Sequence, residues 1–162
     1  MIQDRGIKDG EITLRPVQAG DDDLLLRLYA STRAAEVAQV PWTPEQKDAF
    51  VKMQFVAQKQ HYGATYPTAE HQIICWKEQA AGRIYLDRND EAFHILDITV
   101  LPELRNNGIG SKVLNGVMDE ARKAGKPVTI YVETYNPSLR LFERLGFRQS
   151  RTEGIHYLLQ SG

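Results

Sequence analysis

Cysteine occurs once in this chain, at Cys75, so no disulfide can form within it and its stability does not call for an oxidising compartment. An excess of either charge is missing too. Twenty Lys+Arg stand against 21 Asp+Glu, a net charge of -1, which supplies no long-range attraction to nucleic acid or anionic lipid. No apolar run approaches the ~18 residues of a membrane span, and residues 1–6 lack the apolar stretch of a signal peptide. Repeats, low-complexity tracts and linkers are also absent. Neither a nucleic-acid nor a membrane partner is expected, no metal site is expected, and the location expected is cytoplasmic.

What is present suits one globular domain over residues 1–162, since 42% hydrophobic and 25% charged residues fit a folded chain whose length allows one real core. Glu11-Ile12-Thr13-Leu14-Arg15-Pro16 alternates polar and apolar residues up to a proline and predicts a first strand. Acids at Asp21 to Asp23 precede Leu24, Leu25, Leu28 and Tyr29 at helical spacing, predicting a helix toward Val40. Thr43, Pro44 and Gln46 form a second helix start, with a capping threonine, a proline at the first helical position and a glutamine three residues after the cap. Residues 61–69, with Gly63 and Pro67, predict a loop carrying Tyr62 and Tyr66.

Three strands, over residues 71–77, 81–87 and 92–101, should form an antiparallel meander, with a turn at Glu78-Gln79 joining the first two. A helix follows, with Val113, Leu114, Val117, Met118 and Ala121 on one face, closed by Gly125 and Pro127. Then come a β-branched strand over 128–134, a short helix from Asn136 to Leu145, and strands over 147–151 and 155–159. The expected class is α+β.

The most informative segment is Val100-Leu101-Pro102-Glu103-Leu104-Arg105-Asn106-Asn107-Gly108-Ile109-Gly110, between a strand end and a helix start. Glycines at 108 and 110 remove side chains where an anion would approach, so successive backbone N–H groups can converge on it. The helix adds roughly half a positive charge at its N-terminus. A dinucleotide fingerprint would need glycine where Val113 stands, and a nucleotide-triphosphate loop would need Gly-Lys-Ser/Thr, whereas Ser111-Lys112 follows Gly110 in the wrong order. An Asn-Gly turn feeding a helix would give the same local pattern without a ligand.

Arg105-x-x-Gly108-x-Gly110 resembles the Arg/Gln-x-x-Gly-x-Gly/Ala signature of the GNAT acetyltransferase superfamily. Asn136-Pro137-Ser138-Leu139-Arg140-Leu141-Phe142-Glu143-Arg144-Leu145-Gly146-Phe147 resembles its C-terminal Asn-x-x-Ala-x-x-Leu-Tyr-x-x-Leu-Gly-Phe motif, at the family's usual separation. The resemblance implies one domain with a mixed, mostly antiparallel sheet of about six or seven strands, splayed at its centre and flanked by about four helices. It also implies acetyl-CoA as co-substrate, with the pyrophosphate on amides from Arg105, Asn106, Asn107, Gly108, Ile109, Gly110 and Ser111. The pantetheine arm would then lie between the strands at 92–101 and 128–134, met by backbone groups of Ile98 and Val100 and by Asn136. The implied reaction is N-acetylation of a small-molecule or peptide amine; dimers are frequent among relatives, so a homodimer is open.

Acetylating an amine requires a group that takes a proton from the ammonium. The family often places that base six residues before the position of Val100, here His94, whose imidazole titrates near neutral pH. Glu133 on the partner strand, Asp97 and water remain alternatives, with Asp97 alternating to the opposite face from His94 unless a bulge intervenes. Many relatives carry a tyrosine acid where this chain has Phe142, so Tyr135 or Tyr131 would have to substitute, or the thiolate, with a pKa of about 8.5, would leave unassisted. Phe142 equally motivates a second reading, an acyl-CoA-binding module with little turnover. Tyr29, Arg33, Glu36, Trp42, Tyr62 and Tyr66 are the acceptor-site candidates.

Overall fold

The computed structural model describes residues 11–162; residues 1–6, on which the missing signal peptide was argued, lie outside the described residues. One seven-stranded sheet runs through it, built from β1 (Ile12–Pro16), β2 (Glu70–Trp76), β3 (Gln79–Arg88), β4 (Phe93–Val100), β5 (Val128–Glu133), β6 (Arg148–Glu153) and β7 (His156–Ser161). Their spatial order is β1-β2-β3-β4-β5-β7-β6, and every pairing is antiparallel except β4 with β5. Four α-helices are described: α1 (Asp22–Ala38), α2 (Pro44–Thr65), α3 (Ile109–Lys123) and α4 (Leu139–Arg144). This is the expected α+β architecture. No described helix is long and apolar enough to cross a membrane.

The main core lies on the α3 side of the sheet. Ile109, Val113, Leu114, Val117 and Ala121 come round at helical spacing and bury against Ile74, Ile84, Ile95 and Ile130. Full burial of each large aliphatic side chain contributes about 1.5–3 kcal/mol, so this stripe commits α3 to the sheet. On the opposite face Leu25 of α1 packs with Ile73, Cys75 and Phe55. α1 and α2 therefore cover the face that α3 does not.

Three expectations are corrected. The predicted loop over 61–69 is shorter, because α2 continues through Gly63 to Thr65. A helical glycine costs about 1 kcal/mol relative to alanine. Ring contacts outweigh it: Tyr62 sits edge-on to Tyr85 with centroids 5.3 Å apart, and Tyr66, whose N–H closes the helix on the Tyr62 carbonyl, stacks on His94. The hairpin turn between β2 and β3 is Lys77-Glu78, one residue early, with φ of 52° and 69° at its two centres. Those left-handed values match the twist of a two-residue hairpin. Finally, α4 opens at Leu139, because the Asn136 side-chain oxygen accepts from the Ser138 N–H and holds that stretch as a turn.

Candidate active site

The site grows from a defect in β4. Tyr85 of β3 faces Asp97, yet Leu86 faces Ile95, so Leu96 is an extra residue on β4. Such a bulge shifts the alternation by one and bends the strand. Asp97 consequently joins His94 on the α1–α2 face, the exception foreseen for it, while Ile98 and Val100 turn their side chains into the α3-side core.

The same bend opens a fork. β4 and β5 pair in parallel only at Phe93 with Val128, His94 with Thr129 and Ile95 with Ile130. Beyond Ile95 they part, although β5 stays paired with β7 as far as Glu133. The Leu101 N–H reaches back to the Ala81 carbonyl on β3. By strand alternation the backbone groups of Ile98 and Val100 then face the opposite way, into the fork.

At the mouth of the fork stands the glycine turn. Asn106 has φ of 66° and Gly108 φ of 82°, two left-handed residues that turn the backbone into the start of α3. Asparagine and glycine are the residues that tolerate this conformation. The Asn107 amide donates to the Leu104 carbonyl at 2.9 Å, and the Arg105 Nε to the Val100 carbonyl at 3.2 Å, so both side chains brace the turn. The N–H groups of Ile109, Gly110 and Ser111 open the helix and have no partner within it, the first rung being Lys112 N–H to Gly108 carbonyl. A Cβ added at Gly110 would meet no atom within 4 Å. Ser111 and Ile109 are buried beneath.

Titratable groups gather on the α1–α2 side. The half-buried His94 has Nδ1 2.8 Å from the Thr129 Oγ1, its ring stacks on Tyr66 at 6.0 Å, and Tyr131 meets it edge-on at 5.5 Å. Burial pulls its pKa below the ordinary value, opposed by the charge of Asp87. A neutral imidazole at pH 7 follows. Glu133, at the end of β5, is pushed up by burial but held below the usual range by the Asn136 amide at 2.9 Å and by the charges of His156 and Arg33. It is a carboxylate.

Beneath α2 the 3% exposed Arg83 donates to Asp97 at 2.6 Å and to Gln58 at 2.9 Å, with His71 Nε2 3.4 Å away. Burial first, then the Arg83 charge, drive the His71 pKa down to about 4, so His71 is neutral and can accept. The Asp97 carboxylate also accepts from Thr99 at 3.0 Å, which commits it to this network. A cavity of about 390 Å³ adjoins, between Gln18, Asp22, Phe55, Tyr62 and Arg83.

The sequence profile described as Acetyltransferase (GNAT) family matches residues 30–147. The chain belongs to that family. Among solved structures, this GNAT chain resembles the PaiA N-acetyltransferase of Thermoplasma acidophilum in complex with coenzyme A, at 16% identity and TM-score 0.68, covering 93% of this chain and 98% of that one. It is also similar to a GNAT family acetyltransferase from Elizabethkingia anophelis with acetyl-CoA bound, at 20% identity and TM-score 0.61, covering 95% and 99%. A third is Naa50 of Arabidopsis thaliana in complex with the bisubstrate analogue CoA-Ac-MVNAL, at 17% identity and TM-score 0.59, covering 94% and 99%. At such identities the likeness is one of fold. No curated protein matches the chain.

Within this GNAT fold, Arg105 to Ser111 form the turn at the fork's mouth, Ile98 and Val100 line one prong, and His94 and Glu133 stand at its two ends. Tyr135 lies 63% exposed after β5, whereas Tyr131 touches His94. Phe142 is buried against Phe147, with ring centroids 5.4 Å apart. Of the acceptor candidates, Tyr29, Tyr62 and Tyr66 gather on this face, Arg33 lies over the Tyr29 ring, and Glu36 pairs with Arg33 at 3.3 Å. Trp42, which precedes α2, packs instead on Phe50, and Phe50 is about 18 Å along that helix from Tyr62 at 1.5 Å per residue. Sequence reasoning missed Thr129 and Arg83. No local pattern marks either one, because each acquires its role from a residue on a neighbouring strand.

Proposed function

We propose that this acetyltransferase uses acetyl-CoA to acetylate a primary amine of a small molecule or peptide. The observation that carries the reading is the start of α3, where the left-handed turn at Asn106 and Gly108 leads into amides that have no partner within the helix, in the connection that follows the parting of β4 from β5. Amides of residues 106–111 would hold the pyrophosphate, the Arg105 N–H being given to the Pro102 carbonyl at 3.3 Å, with the α3 dipole favouring its charge. Backbone groups of Ile98 and Val100 would hold the pantetheine arm, joined by the amide proton of Asn136 not given to Glu133. When bound, acetyl-CoA supplies a thioester carbonyl open to direct attack by a neutral amine.

The chain's own part is positioning and proton transfer. His94, neutral at pH 7, takes the proton from the incoming ammonium. Glu133, held anionic, draws the ammonium to the fork and is the second candidate for that proton. Tyr131, which touches His94, would attend the leaving thiolate in preference to the exposed Tyr135. Tyr29, Arg33, Tyr62 and Tyr66 wall the acceptor entrance, and the neighbouring cavity offers room for the body of the acceptor. The packing of His94 against Tyr66 and Tyr131, with the anionic Glu133 further along β5, favours turnover over a binding-only module.

The test is thiol release from acetyl-CoA with a panel of primary amines and short peptides with free N-termini. Thiol release with at least one acceptor is expected. Calorimetric binding of acetyl-CoA with no release for any acceptor would replace the enzyme by the binding module, and no binding at all would remove the cofactor assignment.

A further inference from the structure

The last rung but one before the fork carries a side-chain contact between its two strands. His94 of β4 and Thr129 of β5 are direct register partners, and their side chains meet at 2.8 Å between Nδ1 and Oγ1. One rung further the strands end their pairing at Ile95 and Ile130. His94 is thus on the last rung whose side chains face α1 and α2 before the gap opens, since Ile95 and Ile130 point into the α3-side core. Aromatic rings confine the imidazole on two more sides, Tyr66 stacked at an interplanar angle of 30° and Tyr131 edge-on at 76°. Neither ring offers a hydrogen bond to Nδ1.

We propose that Thr129 is a positioning residue for His94, accepting the Nδ1 proton so that Nε2 keeps its lone pair for the substrate ammonium. The inference rests on His94 being the base. As the ammonium N–H bond breaks, the Nε2–H bond forms, and the positive charge passes to the imidazolium. The Nδ1–H bond to Thr129 then becomes charge-assisted, and such bonds are roughly twice as strong as neutral ones. The groups facing this ring are Asp87 from β3, whose charge favours the imidazolium, Tyr66 from α2, and Tyr131 and Thr129 from β5. Thr129 therefore sets the tautomer and the orientation, and Asp87 opposes the desolvation.

The experiment uses the full chain labelled with 15N in its histidines, with the His94 ring signals assigned by their loss in His94→Gln. At pH 8 the wild type should show the Nδ1–H tautomer. Thr129→Val, which keeps the shape and loses the hydroxyl, should shift the ring toward Nε2–H and lower its pKa, while Thr129→Ser should restore both. With an acceptor from the panel, Thr129→Val should lower kcat about tenfold at pH 7 with the acetyl-CoA Kd unchanged, the effect of one lost hydrogen bond. Its acid limb should move to lower pH. An Nε2–H tautomer in the wild type, or a Thr129→Val ring identical to it, would overturn the proposal. If the NMR result holds but His94→Gln turns over normally, the base assignment fails while the positioning geometry stands, so the two failures are told apart.

Discussion

Tyr62 of α2 donates its hydroxyl to the carbonyl of Leu96, the extra residue of β4, at 3.2 Å. This is a helix bracing the bulge that opens the fork. Tyr62→Phe should loosen that brace, and one neutral hydrogen bond contributes about 1 kcal/mol. Turnover should fall about fivefold with acetyl-CoA affinity within twofold. Burial first, with Asp97 adding and Arg83 opposing, pushes the Tyr62 phenol up to about 12, so it stays protonated between pH 7 and 9. The ratio of wild-type to variant rate should be flat across that range; a ratio that drifts would mean the hydroxyl titrates there.

Gly110→Asp should abolish acetyl-CoA binding. Its side chain would bring a negative charge to the start of α3, where the pyrophosphate would sit. Isothermal calorimetry is the check, with circular dichroism to confirm that the fold is retained, since the Cβ itself meets nothing within 4 Å.

His94→Ala should lower turnover at pH 7 by about 100-fold or more while leaving the cofactor Kd within threefold. The base works in its neutral form, so wild-type kcat/KM should fall as pH drops through the His94 pKa. Burial has lowered that pKa against the pull of Asp87, which puts the acid limb below the ordinary 6.5. An acid limb that persists in His94→Ala would assign it to another group, with Glu133→Gln the next variant to profile.

Asp97→Ala should destabilise the fold by about 3 kcal/mol, because it leaves the Arg83 charge buried without its partner at 2.6 Å. Replacing both, Arg83→Met with Asp97→Leu, should recover most of that loss, since paired removal leaves no orphan charge. Urea unfolding midpoints with unchanged slopes would establish both.

His71 should make stability pH-dependent. Its folded pKa, about 4, lies below the ordinary 6.5, so the unfolded chain binds a proton that the folded chain refuses. Stability is fully present above 6.5 and declines as pH falls toward about 4. Urea midpoints compared at pH 7 and 4.5 should show a steeper loss for the wild type than for His71→Gln.

The sequence by itself determined what is local or periodic. The α3 stripe from Val113 to Ala121, the capped start of α2 at Thr43, and the β-branched run of β5 each follow from spacing that a few neighbouring residues dictate. The Asn106–Gly110 turn was equally legible, because left-handed conformations select asparagine and glycine wherever they occur. The end of α2 was not, since ring contacts with β3 and β4 decide whether the helix passes Gly63. Only the tertiary structure decided that Leu96 would bulge, which placed Asp97 beside His94 on one face, gave that carboxylate to Arg83, and parted β4 from β5 one rung after Thr129 meets His94. A bulge is settled by how two strands compete for the same register. No single strand's pattern of alternation contains that information, because both partners must be in place before the extra residue has anywhere to go.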